Sequence, residues 1–397
     1  MTRFKKRVWI GLGVILLLVA GLGLLAYKFY LSPTSYALQR AEAFLFRRMQ
    51  VAQLNREGEY RFFFVTNRRP VETAGPLEER FGTEREDELK FGYFDVAIEP
   101  TLGLGMLINP TEWFQNEEIK LKAVRDLDRE AFTEKLQALV EKSPQRSLLV
   151  VVHGFREAFP SALRKTTFLG HVLDINSPVL LFDWPGNQGS TPGGYRRAQA
   201  VAKESAPDLA RTIELTVRSI RPERLWLIAN SMGGQVVVDA FRLLYDQVDL
   251  ADAETEIENV VLTAPDVDYN EFDEKFRQAL EALARKTTIY VSSNDRALLA
   301  SRLLNRGRRR GESTIDPRRI EAAARVVDHD PAAEGVTVVD VTPVNRTRNF
   351  HNFSLETPEF FDDLFLRLTN AENPRSRLIY SVEAPNGTIY WVLTRGR

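Results

Sequence analysis

Ser231 sits in Ala229-Asn230-Ser231-Met232-Gly233-Gly234, after the apolar run Leu225-Trp226-Leu227-Ile228. In the segment that follows, Val236, Val237, Ala240, Phe241 and Leu244 share one helical face. A serine on a sharp strand-to-helix turn, flanked by small residues, is placed for attack on a carbonyl carbon. The turn lifts the hydroxyl above the strand end. Gly233 lets the helix pass close to the strand, and the Met232 amide faces the substrate oxygen. Ala229 stands where the G-x-S-x-G spacing has its first glycine, and alanine is small enough for that position. A serine hydroxyl is a poor nucleophile near neutral pH. It needs a base within hydrogen-bond reach and a third group to orient that base. The candidates for base are His153, His171, His329 and His351; those for orienting acid are Asp266, Asp268 and Asp295. With no cysteine in the chain, thiolate catalysis, disulfides and cysteine-based metal sites are excluded. No two histidines have metal-ligand spacing, so a histidine metal centre is not expected, and serine chemistry of this kind requires neither metal nor organic cofactor.

The elements that must position these groups alternate in type. Strand-like runs fall at Arg61 to Thr66, Tyr93 to Ile98, Ile119 to Val124, Leu148 to Val152 and Val179 to Phe182. Beyond the elbow they recur at Val260 to Thr263, Thr287 to Val291 and Val336 to Val341. Helical spacing marks 128–141, 158–174, 195–220, 270–284, 296–304 and 358–369. A break or kink is expected in the third of these at Pro207. Thr357-Pro358 reads as a cap followed by a first-turn proline. Strands alternating with helices imply right-handed crossovers and a mostly parallel sheet. Together with the elbow, this is the pattern of an α/β-hydrolase fold, here expected over residues 61–371. A hairpin at 372–397, turning at Asn386-Gly387, lies outside it, free to cap the sheet edge, close over the site or mediate assembly.

In this fold the site residues follow the order nucleophile, acid, histidine. His153 and His171 precede Ser231 and fail that test. His329 precedes the last strand of the domain, whereas His351 follows it, so His351 is the expected base. Asp295 leaves the strand before that one and is the expected acid; Asp266 and Asp268 leave the strand before and remain alternatives. The oxyanion hole needs two preorganised amides. Met232 supplies one, and Phe155 in His153-Gly154-Phe155 supplies the other, with Gly154 freeing the backbone to turn. His153 is then a structural hydrogen-bonder. Trp184, in Asp183-Trp184-Pro185-Gly186, and Asn230 are expected at the pocket wall.

These stretches resemble an uncharacterised bacterial α/β-hydrolase family catalogued as a domain of unknown function. The likeness rests on Phe64-Val65-Thr66-Asn67-Arg68, Val152-His153-Gly154-Phe155, Phe182-Asp183-Trp184-Pro185 and the Ser-Met-Gly elbow. Ala264-Pro265-Asp266-Val267-Asp268 and Ser292-Ser293-Asn294-Asp295 extend it, and it covers roughly residues 61–370. The resemblance implies a serine hydrolase with its nucleophile at Ser231 and supplies no substrate. A histidine typical of the family before the serine is Asn230 here, which leaves the base untouched.

The amino terminus has a different composition. Arg3, Lys5, Lys6 and Arg7 precede a charge-free run from Val8 to Tyr27. Twenty helical residues rise about 30 Å, the thickness of a hydrocarbon core, and the run exceeds a signal-peptide core of about 7–15 residues. The expectation is a basic stub and one transmembrane anchor over 1–31, in a bacterial inner membrane, with the catalytic part periplasmic by the positive-inside rule. Residues 32–60 read as a helical connector whose stripe of Ala37, Ala41, Phe44 and Leu45 docks on the domain. Arg306 to Arg310 holds four arginines, read as a solvated loop, with a phosphate or lipid-headgroup contact as the sharper alternative. A net charge of −1 gives no reason to expect nucleic acid. The expected partners are the membrane and a small-molecule or lipid acyl substrate. The expected activity is ester or related acyl hydrolysis, with a catalytically silent binding or scaffold module as the alternative. The sequence does not set the oligomeric state.

Overall fold

The structure, a computed structural model, describes residues 13, 16–21, 50–55, 58–71, 79–98, 119–173, 175–246, 257–312, 325–327, 335–347, 350–369, 379–383 and 389–394. Twelve strands form one sheet: β1 (Glu59–Pro70), β2 (Phe81–Ile98), β3 (Ile119–Leu127), β4 (Ser147–Val152), β5 (Val179–Asp183), β6 (Arg224–Asn230), β7 (Ile257–Thr263), β8 (Ala284–Val291), β9 (Arg325–Val327), β10 (Val336–Asp340), β11 (Ile379–Glu383) and β12 (Ile389–Leu393). Their spatial order is β3-β2-β1-β5-β4-β6-β7-β8-β10-β12-β11-β9. Every pairing from β1 to β12 is parallel, whereas β2 and β3 at one margin and β11 and β9 at the other pair antiparallel. The central strands are buried on both faces, as their unbroken apolar runs require: Leu148–Val152 and Val179–Phe182 are buried throughout.

Helices cover both faces. One face packs Phe64, Leu149, Val151, Trp226 and Ile228 against α2 (Phe159–Leu173) and α8 (Pro358–Thr369). The other packs Val65, Val150, Leu180, Leu227 and Leu262 against α1 (Arg129–Lys142), α3 (Pro192–Leu215), α4 (Gly233–Tyr245) and α5 (Arg277–Leu283). Two further helices, α6 (Arg296–Asn305) and α7 (Phe353–Glu356), lie after β8 and β10. From β4 the chain moves to β5 on one side, and β6 lies on the other. The crevice at the carboxyl ends of β4 and β6 is thus a topological switch point, where sites form in open α/β sheets.

Several expectations change. α3 runs unbroken through Pro207, because a long buried face (Ala198, Ala202, Ala206, Leu209, Ile213) outweighs the one lost backbone bond; the irregularity appears later, as a π-turn at Thr216–Ile220. β2 starts twelve residues before Tyr93 (at Phe81), carried by pairing to β1 past register shifts near Arg68 that apolar patterning does not reveal. The described end of the 32–60 connector is not helical: Val51 and Ala52 form a turn, Gln53 bridges Tyr60, and Asn176 Oδ1 accepts the Gln50 and Val51 amides. The carboxyl-terminal hairpin is not separate, since β12 pairs with β10 and extends the main sheet. Among the described residues no helix is long and apolar enough to cross a membrane. Most of the Val8–Tyr27 run, and Ala37, Ala41, Phe44, Leu45 and His329, lie outside them.

Candidate active site

Ser231 follows β6 with φ +53°, in the left-handed region that β-carbon-bearing residues avoid. Its backbone is tied on both sides: its N–H donates to Thr263 O (2.9 Å), and its carbonyl accepts from Gly234 (3.0 Å) and Asp266 (3.0 Å). The turn fits only because its neighbours are small. A β-carbon on Gly233 would meet Val152 O at 2.8 Å, and one on Gly154 would meet Asn230 O and Ser231 Cβ at 3.1 Å each. The His153-Gly154-Phe155 turn therefore lies directly against the serine. Among the described residues no backbone acceptor takes the Met232 or Phe155 N–H. Met232 precedes the first turn of α4, where amides have no partner within the helix. Both donors are thus available beside Ser231, as an oxyanion would need.

His351 follows β10, and its Nδ1 lies 2.7 Å from Asp295 Oδ2. Asp295 is itself anchored: it caps α6, with Oδ1 accepting the Leu298 amide at 2.9 Å. The carboxylate is fully buried and the imidazole 13 % exposed. Burial alone would lower the proton affinity of His351. The Asp295 carboxylate, by charge and by hydrogen bond, outweighs burial and raises it above the ordinary imidazole value, with Asp266 adding and Lys165 opposing. Lys165 pairs with Glu157, whose carboxyl also accepts from Ser161 Oγ (2.5 Å). Burial pushes that carboxyl up, but Lys165 and Ser161 hold it below the usual range.

The alternative acids are committed elsewhere. Asp266 Oδ1 accepts from Arg309 Nε (2.6 Å) and Ser301 Oγ (2.5 Å), and Oδ2 accepts from Tyr195 (2.7 Å). Burial, then the Asp266 charge, pushes the Tyr195 hydroxyl well above its usual range, so it stays a donor. Asp268 Oδ1 accepts the Asn270 and Glu271 amides of a one-turn helix. The structure pairs His351 with Asp295, not with these two.

Arg309 and Arg310 are buried, so the arginine-rich loop is not simply solvated. Arg309 holds Asp266, and Arg310 lies over the rings of Tyr269 (5.2 Å) and Phe272 (5.1 Å). Trp184 likewise departs from its expected place. It is fully buried, stacked on His153 (5.5 Å, 5°), and its Nε1 donates to His153 O at 2.8 Å. It buttresses the His153-Gly154-Phe155 turn from behind instead of lining a pocket. The His153 ring lies against Gly154 O (2.9 Å) and Asp183 Oδ1 (3.1 Å). Asp183 also accepts from Thr66 Oγ1 and Arg68 Nε, each at 2.7 Å. Burial would raise the Asp183 carboxyl, but Arg68 and His153 hold it below the usual range. Asn230 is half-buried, its Oδ1 accepting from Thr263 Oγ1 (3.0 Å).

One residue escapes sequence reasoning. Buried Asn345 directs its amide at Phe350 O (2.6 Å), Ser292 Oγ (2.9 Å) and Asn294 Oδ1 (3.1 Å), and its carbonyl accepts from Asn294 Nδ2 (3.1 Å). It ties the loop before Asp295 to the loop before His351, where Phe350 has φ +56°. The sole hint in the sequence was the polar run Ser292-Ser293-Asn294; nothing marked Asn345 itself.

Residues 128–365 match the model of a family described as alpha/beta hydrolase of unknown function (DUF900). The chain belongs to this family. The match covers more than half of the chain and holds Ser231, Asp295 and His351. Among solved structures it is similar to a hydrolase assigned to the cell surface of Lactobacillus plantarum WCFS1, at 11% identity and TM-score 0.29, covering 56% of this chain and 90% of that one. A protein described as a hydrolase from Agrobacterium vitis S4 gives 13% and 0.26, covering 69% and 96%. Phospholipase PlaB from Legionella pneumophila gives 12% and 0.25, covering 63% and 69%. Likenesses at this level say nothing of chemistry. No curated protein matches the chain.

Proposed function

We propose that the protein is a serine hydrolase that cleaves an ester or related acyl bond through an acyl-enzyme. The observation that carries this reading is the 2.7 Å His351–Asp295 bond on loops that leave the same end of the sheet as the strained Ser231 turn. With Nδ1 given to Asp295, Nε2 is the nitrogen that takes the Ser231 proton as Oγ bonds to the acyl carbon. The negative charge on the former carbonyl oxygen is met by the Met232 and Phe155 amides. The tetrahedral species collapses, the leaving alcohol departs with the proton from His351, and the acyl group stays on Oγ. Water, deprotonated by His351, then attacks the acyl carbon, the acyl–Oγ bond breaks to release the acid, and His351 returns the proton to Ser231 Oγ. The charge-free run at Val8–Tyr27 supports a membrane anchor, and Arg3, Lys5, Lys6 and Arg7 before it support a periplasmic catalytic domain; the acyl substrate is then a lipid or a small molecule.

Labelling of the full chain with a fluorophosphonate tests the chemistry. Wild type is expected to label, and Ser231→Ala and His351→Ala to lose the label while keeping the circular dichroism of the fold. A folded wild type that does not label makes the domain a silent binding module. Labelling that survives Ser231→Ala means the nucleophile is elsewhere.

A further inference from the structure

The surface beside the site has an unusual composition. Between Asp295 and Glu312 there is no acidic residue and there are six arginines, in a chain whose charges as a whole nearly cancel. α6 buries Leu298 and Ser301 against the fold and turns two leucines outward: Leu299 is 51% exposed and Leu303 73%. Arg296, Leu299 and Leu303 fall at i, i+3 and i+7, so they form one stripe along the outer face of the helix, and Arg306 follows at its C-cap. Arg302 reaches Glu312 only at 3.8 Å. Among the described residues no carboxylate lies in ion-pair range of Arg296, Arg306 or Arg308; Arg296 and Arg308 instead lie over the rings of Phe350 (5.0 Å) and Tyr269 (5.3 Å). Large leucines on an exposed face, flanked by cations whose stems can lie along apolar surface, suit a helix lying in a membrane interface.

We infer that this face of α6, with the adjoining arginine loop, docks on an anionic lipid bilayer. Charge complementarity selects that occupant. A second copy of the chain in a two-fold contact would set the same arginines against each other. Anionic headgroups would neutralise them, and the leucines would enter the acyl boundary. The position also has a consequence for the site. α6 begins at Asp295, whose carboxylate bonds His351, so a bilayer docked here lies at the end of the sheet that carries Ser231. This surface goes beyond the acyl chemistry proposed above and stands without it.

The absence of native cysteine makes the test direct. The full chain carrying Leu303→Cys is labelled with a polarity-sensitive dye and reconstituted into vesicles of phosphatidylcholine alone, or with a third of phosphatidylglycerol. A control carries the dye through Lys135→Cys on the exposed face of α1. In anionic vesicles the dye at 303 is expected to shift to the blue and to be quenched by brominated acyl chains, while the dye at 135 is not. Arg302→Glu, Arg306→Glu and Arg308→Glu together should weaken the insertion by at least about tenfold. Salt at about 0.5 M should do the same with no substitution at all. A dye that stays in water in both vesicle types overturns the inference, and so does one that enters neutral and anionic vesicles alike. A blue shift before lipid is added that grows with protein concentration identifies a second copy as the occupant; one independent of concentration identifies another segment of this chain. Fluorophosphonate labelling of the same samples separates the two proposals: insertion without labelling leaves the docking surface standing and removes the hydrolase reading.

Discussion

At the scale of single residues, the proposed chemistry depends on the proton affinity of His351. In that mechanism His351 must be neutral to accept the Ser231 proton, and Asp295 raises its pKa above the usual 6.5. Labelling by a fluorophosphonate is therefore expected to fall as pH drops, with a midpoint above 6.5, measured as labelling rate against pH. Asp295→Asn removes the effects that oppose burial, so the midpoint should move down while the rate at pH 8 falls by about 10²–10⁴-fold. The linked stability has the opposite sense. A raised pKa stabilises the fold below the unfolded value, and that contribution is lost as pH rises through the folded value. Asn345 acts through its neighbours. Asn345→Ala leaves Phe350 O without its donor, and about tenfold slower labelling with a lower pH midpoint is expected in a chain that keeps its circular dichroism. The serine turn and the histidine–acid order were legible because each residue type follows an apolar run. Asn345 was not, because its role comes from two loops meeting across 51 residues of sequence.

At the scale of elements, the segment after β7 is where local reading fell short. Ala264-Pro265-Asp266-Val267-Asp268 looks like a supplier of the acid, and only the tertiary contact with Arg309 shows that Asp266 is already paired. The same contact takes Arg309 out of solvent, which composition alone could not foresee. Arg309→Met should strand a buried carboxylate and cost about 3–5 kcal/mol, read from the shift of the urea midpoint. Because the Asp266 amide holds Ser231 O, labelling should fall as well. Helices and central strands were legible to within a few residues, since periodicity and burial coincide there. Pro207 misled because propensity yields to a buried face.

At the scale of the whole molecule, the sheet is wider than sequence alone suggests. The hairpin read as a separate tail is welded to β10 by β12, with Trp391 2% exposed in the core that holds Phe353 and Phe360. Trp391→Ala should destabilise by about 3–5 kcal/mol in chemical denaturation, as a core deletion and not as the loss of an accessory. The strand order also sets the site off-centre. The groups assigned to chemistry leave β4, β6, β8 and β10, so β5, β1, β2 and β3 shield them on one side, while only β12, β11 and β9 stand between β10 and the other margin. Fraying that starts at β9 therefore has one strand fewer to strip before it frees the His351 imidazole than fraying from β3 has before it reaches the His153-Gly154-Phe155 turn. Heat inactivation should run ahead of the loss of secondary structure, with the β9 rim acting as the fuse.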